Sequence, residues 1–361
     1  MTSTGNAKKR IFYYDFLRCF AILSVIACHV FAIPVVRISN FGSGLWYYSL
    51  FLNTLRDIAV PMFVLISGAL LLDKKETLTK FTKKRINRVI IPYLVWTIIF
   101  ILFTYMCSQI GIGKPNLSLE SIISSVATIR LVGIPTYFWF VQMIFVVYIV
   151  IFILNKLNER YPNTLKIALV LGLIIIAAYN LNIIPLERPS NYPFYAIFAV
   201  IGYYLSKIDL KIDENKLTII FFVVSVVLYI LEVLLIASSS LAANKYAGIS
   251  QFELLNVVIL CSTFLFARYF SKSRGLLGNT FDKIENSKLG DAINSISFTS
   301  FGIYLCHMMI FVLFQYILTP LQDQNYFIYV NLVLILTIGI SWFIIWVLSK
   351  IPHVNKISGA G

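Results

Sequence analysis

The sequence predicts an all-α polytopic integral membrane protein, a bundle of about ten transmembrane helices with both termini on the cytosolic side. Three observations carry that expectation. Of the 361 residues, 59% are hydrophobic and 13% charged, with a mean hydropathy of +0.84, whereas a soluble chain carries about a quarter charged residues. The apolar residues fall in runs of about 17–25, the length that crosses the hydrocarbon core. With the N-terminus inside, 23 Lys and Arg fall in inner segments and 5 in outer ones, the asymmetry of the positive-inside rule.

Taken in order, the first run, 11–33, follows the basic head Lys8-Lys9-Arg10. A signal peptide shares such a head, but this run continues to about Val36, is interrupted by Arg18 and His29, and lacks a small-residue cleavage site. It reads as a retained helix. The next runs are 46–72, 89–110, 137–155, 165–184, 192–207, 217–237, 253–271, 298–319 and 326–349. Pro61 predicts a kink in the second, and Ser67-Gly68 permits close helix approach there. The sixth run is short and bracketed by Pro193, so a re-entrant or tilted segment is its alternative. Residues 272–295 mix both charge signs with glycines and read as a cytosolic connector. No polar interval exceeds about thirty residues and no repeat is visible, so one transmembrane domain is expected over 1–361, with 1–10 as a cytosolic head and 350–361 as a cytosolic tail.

The net charge of +14 is distributed by topology rather than gathered into a patch, which excludes nucleic acid as a partner. The five cysteines, Cys19, Cys28, Cys107, Cys261 and Cys306, are odd in number and scattered in apolar sequence. They offer neither a disulfide framework nor metal-ligand spacing, so no metal is expected.

Ionisable side chains inside spans cost at least about 2.5–3.5 kcal/mol each and mark pathways or sites. Here they are Asp15, Arg18, His29, Arg56, Asp57, Glu232 and His307, with Glu253 near an outer end. On a helix, eleven steps bring His29 to within roughly 20° of Arg18 and about 16 Å further along the axis. Asp15, three residues before Arg18, is placed to pair with it. His29, an imidazole of ordinary pKa near 6.5, is suited to general-base work; the alternative is a histidine satisfied by a backbone or hydroxyl partner. Arg56 and Asp57 are adjacent and so reach different partners.

Arg85 and Arg88, at i and i+3 where the third span begins, offer two guanidinium groups for bidentate phosphate binding. His307 lies mid-membrane with Ser300 and Tyr304 on its face, and a structural hydrogen-bonded histidine is an equal reading there. Trp139, Phe140 and Gln142 begin the fourth span, where an interfacial aromatic belt is expected.

These residues together resemble the membrane-bound acyltransferase-3 family of bacterial O-acyltransferases, including the branch that acetylates surface glycans such as enterobacterial common antigen. The Arg-x10-His motif of the first helix matches Arg18 and His29, preceded by Asp15. The Arg-x-x-Arg motif matches Arg85 and Arg88, followed by Pro92-Tyr93. The Val-Pro-x-Phe…Ser-Gly block matches Val60, Pro61, Phe63, Ser67 and Gly68. Trp139-Phe140 is similar to the Trp-Phe block, and Gly302-Ile-Tyr304-Leu-x-His307 to a late Tyr-x-x-His element. One departure stands out: the basic residue expected four positions before Pro61 is replaced by Asp57, with Arg56 displaced by one.

The resemblance implies an acyl-CoA-dependent O-acyltransferase of the cell membrane. The donor, acetyl-CoA or another acyl-CoA, would hold its phosphates near Arg85 and Arg88. His29 would act as general base on a hydroxyl of an extracytoplasmic or lipid-linked glycan, or carry the acyl group itself. Asp15 would orient Arg18, while His307 and Tyr304 would position donor or acceptor. Membrane lipids are the remaining partners, and the esterase-like domain appended in some members is not expected here. The competing class is an exporter or flippase of a polysaccharide or lipid-linked sugar.

Overall fold

The computed structural model describes residues 11–112, 118, 120, 138–186 and 191–361. Among the described residues the chain is helical with no strand. Lys8, Lys9, Arg10, Lys114, Arg130 and Arg188, counted in the charge asymmetry, lie outside the described residues, as do the first residue of the fourth predicted span and Thr136.

Helix is present at each of the ten predicted intervals. The spans Phe12–Val36, Gly44–Leu71, Leu78–Gln109, Trp139–Arg160, Glu214–Ala243, Lys288–Ile317 and Tyr326–Lys350 are seven that are long and apolar enough to cross a membrane. An eighth follows if Leu254–Phe270 and Gly275–Glu285, bent by 93° at their junction, form one span. The other three predicted spans hold the shorter helices Thr164–Asn180, Ala196–Lys207 and Leu254–Phe270, of 17, 12 and 17 residues, so among the described residues length and hydropathy support seven or eight spans. The predicted connector 272–295 is itself helical, holding Gly275–Glu285 and the start of Lys288–Ile317.

The first helix, α1 (Phe12–Val36), ends in a hairpin with α2 (Gly44–Thr54). Ser43 caps α2 by accepting the Trp46 N–H at 3.1 Å. The buried Trp46 indole donates back to Val35 O at 3.1 Å, so a carbonyl left over at the end of α1 finds a partner. The second span breaks at Leu55, six residues before Pro61, and α3 (Arg56–Leu71) then runs through the proline. The physical reason lies in the ladder: Phe51 O accepts the Tyr229 hydroxyl, and Leu55 N–H turns to Asn53 O. Arg56 and Asp57 therefore open a helix inside the bundle instead of sitting in its middle.

Small residues let two helices touch. A Cβ on Gly68 of α3 would meet Ala199 O at 1.9 Å, and one on Gly202 would meet Leu65 O at 2.0 Å, so α3 crosses the short helix Ala196–Lys207 at backbone contact. At the basic end, Asp73 adopts φ 65° and donates its N–H to Asn155 Oδ1 at 2.8 Å, while Asn155 Nδ2 donates to Leu71 O at 2.9 Å. Lys207 Nζ donates to Asp73 Oδ2 at 2.8 Å. Three helices are tied together at that turn.

The remaining helices are α4 (Leu78–Arg85), α5 (Ile91–Gln109), α6 (Trp139–Arg160), α7 (Thr164–Asn180), α8 (Ala196–Lys207), α9 (Glu214–Ala243), α10 (Leu254–Phe270), α11 (Gly275–Glu285), α12 (Lys288–Ile317), α13 (Thr319–Gln324) and α14 (Tyr326–Lys350). Helix α1 packs against α2, α3 and α12, and α14 backs α12.

Candidate active site

The site is assembled along the α1–α12 seam. Near the start of α1, buried Asp15 accepts the Ser297 hydroxyl at 2.5 Å and the Arg18 Nη1–H at 3.4 Å. One carboxylate thus joins the two helices and pairs with the arginine one turn on. His29 lies about 26 Å along the same helix from Phe12. Its ring faces that of His307 with centroids 5.3 Å apart and planes at 41°.

His307 has a defined tautomer. Its Nδ1 lies 2.7 Å from Tyr304 O and 3.2 Å from Ile303 O. Carbonyl oxygens only accept, so Nδ1 carries the proton and Nε2 is a bare acceptor. Nε2 is buried without a hydrogen-bond partner. The Tyr304 ring packs against Phe140 at 5.2 Å and against His307 at 5.9 Å.

His29 opens onto a cavity of about 420 Å³ whose wall includes Arg56, Asp57, Trp139, Phe140, Gln251 and Tyr304. Leu186, Asn191 and the loop Ile249–Phe252 complete the wall. Arg56 is held in place by two bonds, Nε to Asp57 Oδ1 at 3.3 Å and Nη2 to the Tyr246 hydroxyl at 2.8 Å. Tyr246 in turn donates to Asn53 Oδ1 at 3.4 Å, and Asn53 Nδ2 donates to Cys28 O at 2.9 Å, next to His29. Gln251 links its Nε2 to Arg56 O at 3.4 Å and accepts the Tyr195 hydroxyl at 2.7 Å. The cavity therefore holds an imidazole and a guanidinium, the latter paired with the Asp57 carboxylate and braced by the polar side chains of Tyr246, Asn53 and Gln251.

Of the residues predicted from sequence, His29 and Tyr304 line this cavity and His307 stands directly behind His29. Asp15 and Arg18 pair with each other nearer the basic end and are not part of the cavity wall. Phe140 is buried in the bundle, and Phe138 beside it packs on Tyr93, Phe100 and Tyr304 instead of joining an interfacial belt. Sequence reasoning passed over Asn53, Tyr246, Asn191 and Gln251; a search for neutral amides in or next to apolar runs finds Asn53, Asn191 and Gln251 but not Tyr246.

Arg85 and Arg88 stand apart from the cavity. Arg85 is packed between Phe81 and Tyr148, 5.0 and 4.9 Å from their ring centres, while Arg88 is exposed. Residues Ile86–Ile90 form a π turn, so Arg85 and Arg88 leave the helix further apart in direction than the 60° of an α-helical i, i+3 pair. Tyr148 is nine residues beyond Trp139 on α6, which sets the Arg85 contact about 14 Å along that helix from the cavity wall. Among the described residues no His, Cys, Asp and Glu gather into a metal-binding group.

Residues 11–346 match the family model described as an acyltransferase domain, acyltransferase 3. No curated protein and no solved structure matches the chain. The match spans nearly the whole sequence, and the chain belongs to the acyltransferase-3 family of multi-pass membrane proteins.

Proposed function

We propose that this protein moves an acetyl or similar acyl group from cytosolic acyl-CoA to a hydroxyl of an extracytoplasmic or lipid-linked glycan at the cell membrane. The observation that carries the reading is the spacing along α6. Tyr148, under Arg85, and Trp139, in the cavity wall, are separated by about 14 Å of helix. A pantetheine arm reaches on the order of 15–20 Å when extended. That match supports a donor whose phosphates are held near Arg85 and Arg88 and whose arm reaches the cavity that His29 lines, with the basic loops on the cytosolic side.

His307 Nε2, a buried acceptor that has no donor in this structure, stands behind His29 and would accept a His29 ring N–H once that ring turns in line with it. An in-line N–H···N bond sets imidazole centroids on the order of 5 Å apart, the spacing found here. The other His29 nitrogen is then an unprotonated base facing the cavity. It removes the proton of the acceptor hydroxyl as that oxygen attacks the thioester carbon. The oxyanion forms beside the Arg56 guanidinium, which stabilises it. When the C–S bond breaks, the CoA thiolate takes the proton from the imidazolium, leaving an ester and free CoA. Asp15 orients Arg18, which lies on the same helix on the N-terminal side of His29.

His29→Ala in membrane-inserted protein is expected to lower acetyl transfer from acetyl-CoA to surface glycan by about 10²–10⁴-fold, the usual worth of a general base. Thiol release and mass spectrometry of the glycan read it. Wild-type rates in that variant remove His29 from the chemistry.

A further inference from the structure

Glu232 sits on α9 with no exposed surface, while Leu231, Leu234 and Leu235 on the same helix face outward. Neither of its carboxyl oxygens has a donor in good hydrogen-bond geometry, and the amide beside them is that of Asn256. Its side-chain neighbour on α10 is Asn256, itself 1% exposed. Asn256 Nδ2 donates to Ser250 O at 2.8 Å. That bond fixes the amide, because a flip would set its oxygen against a carbonyl. Asn256 Oδ1 is therefore a third buried acceptor with no donor.

Such a group of oxygens lacks a hydrogen, and each buried acceptor left without one is costly. The donors around it are committed elsewhere. Tyr229, one turn back on α9, donates to Phe51 O. Arg56 on α3 donates to Asp57 and Tyr246, and Tyr246 donates to Asn53. Arg56 and Asp57 already neutralise each other, so an ionised Glu232 would add a net negative charge to the hydrocarbon interior.

We propose that Glu232 is held as the neutral carboxylic acid, forms a cyclic pair with the Asn256 amide, and through Asn256 positions the Ser250–Phe252 wall of the cavity. The acid O–H donates to Asn256 Oδ1, and the acid C=O accepts the second hydrogen of the Asn256 NH2. The first hydrogen keeps the Ser250 carbonyl. Ser250, Gln251 and Phe252 all line the cavity, and Gln251 bridges Arg56 O and Tyr195. Glu232 is thus a positioning residue two contacts behind the surface that meets the acceptor, and its role does not depend on what is transferred.

The test uses the full chain in lipid nanodiscs. Infrared spectroscopy at neutral pH is expected to show a protonated-carboxyl C=O band that shifts in D2O and is missing in Glu232→Gln. Separately, a maleimide labels Ser250→Cys above the background of the parent chain with its native cysteines. Gln at position 232 keeps both bonds to Asn256, so Glu232→Gln should leave the labelling rate unchanged. Glu232→Leu removes both and should raise it about tenfold by freeing the loop. Absence of a Glu232-dependent acid band overturns the proposal even if the Leu variant fails to insert. Unchanged labelling in a well-inserted Glu232→Leu overturns the positioning role.

Discussion

The α1–α12 seam and the α4–α5 span carry the two halves of the proposed chemistry, and they are built in opposite ways. In the most apolar stretch of each seam helix, 61% of α1 and 67% of α12 is buried, against 28% for Leu78–Gln109. In the seam the polar groups are locked: Asp15 by Ser297 and Arg18, His307 by Tyr304 O. In the α4–α5 span Arg88 is exposed and Arg85 is braced by aromatic faces alone in the contacts described above. The difference teaches a division of labour. Groups that act on the reacting bond need fixed geometry, whereas groups that hold a flexible phosphorylated donor need reach.

The largest effect on stability is expected in the seam. Asp15→Ala removes the shared acceptor of Ser297 and Arg18 and is expected to lower stability by about 2 kcal/mol, the worth of a hydrogen bond to a charged group. Because Arg18 keeps 31% of its side chain exposed, the loss stays short of that for a fully buried charge. Asp15→Asn, which still accepts from Ser297, should lose about half as much. Thermal unfolding in nanodiscs measures both, and unchanged stability in Asp15→Ala would mean the seam is held by packing alone.

The α4–α5 side should respond in binding instead of stability. The double variant Arg85→Ala, Arg88→Ala is expected to raise KM for acetyl-CoA about tenfold with kcat within about twofold, because the phosphates are held equally in ground and transition states. A fall in kcat at unchanged KM would place these arginines with the reacting bond and erase the contrast with the seam.

That contrast also explains what was legible in the sequence. An ionisable residue in an apolar run announces itself by its cost, and Asp15 with Arg18 needed only local spacing. The helices followed from hydropathy, yet length alone separates a crossing helix from Thr164–Asn180 or Ala196–Lys207, and the apolar runs blurred those ends. Residues brought in by long-range pairing left no such mark. Tyr246 bonds to Arg56 from 190 positions away, and Tyr48 to Asn331 from 283. The break at Leu55 goes with the Tyr229 hydroxyl taking Phe51 O from another helix, which a single helix cannot reveal.

The smallest expected effect lies at the basic end, where the turn after α3 is tied by the Lys207–Asp73 pair. The hydrogen bond from Lys207 holds the Asp73 carboxyl below its usual range. A carboxyl whose folded value is depressed contributes stability that is present above its unfolded value and is lost as pH falls through the folded one. Both side chains are about half exposed, 54% and 48%, so solvent screens the pair and the contribution is small. Asp73→Asn tolerates the left-handed φ of 65° and keeps the backbone bond to Asn155. Its unfolding temperature should therefore lie slightly below wild type at neutral pH and converge with it below the ordinary carboxylate value of 3.8. A gap that persists in acid would assign the effect to the Asn155 clamp and leave the ion pair with none.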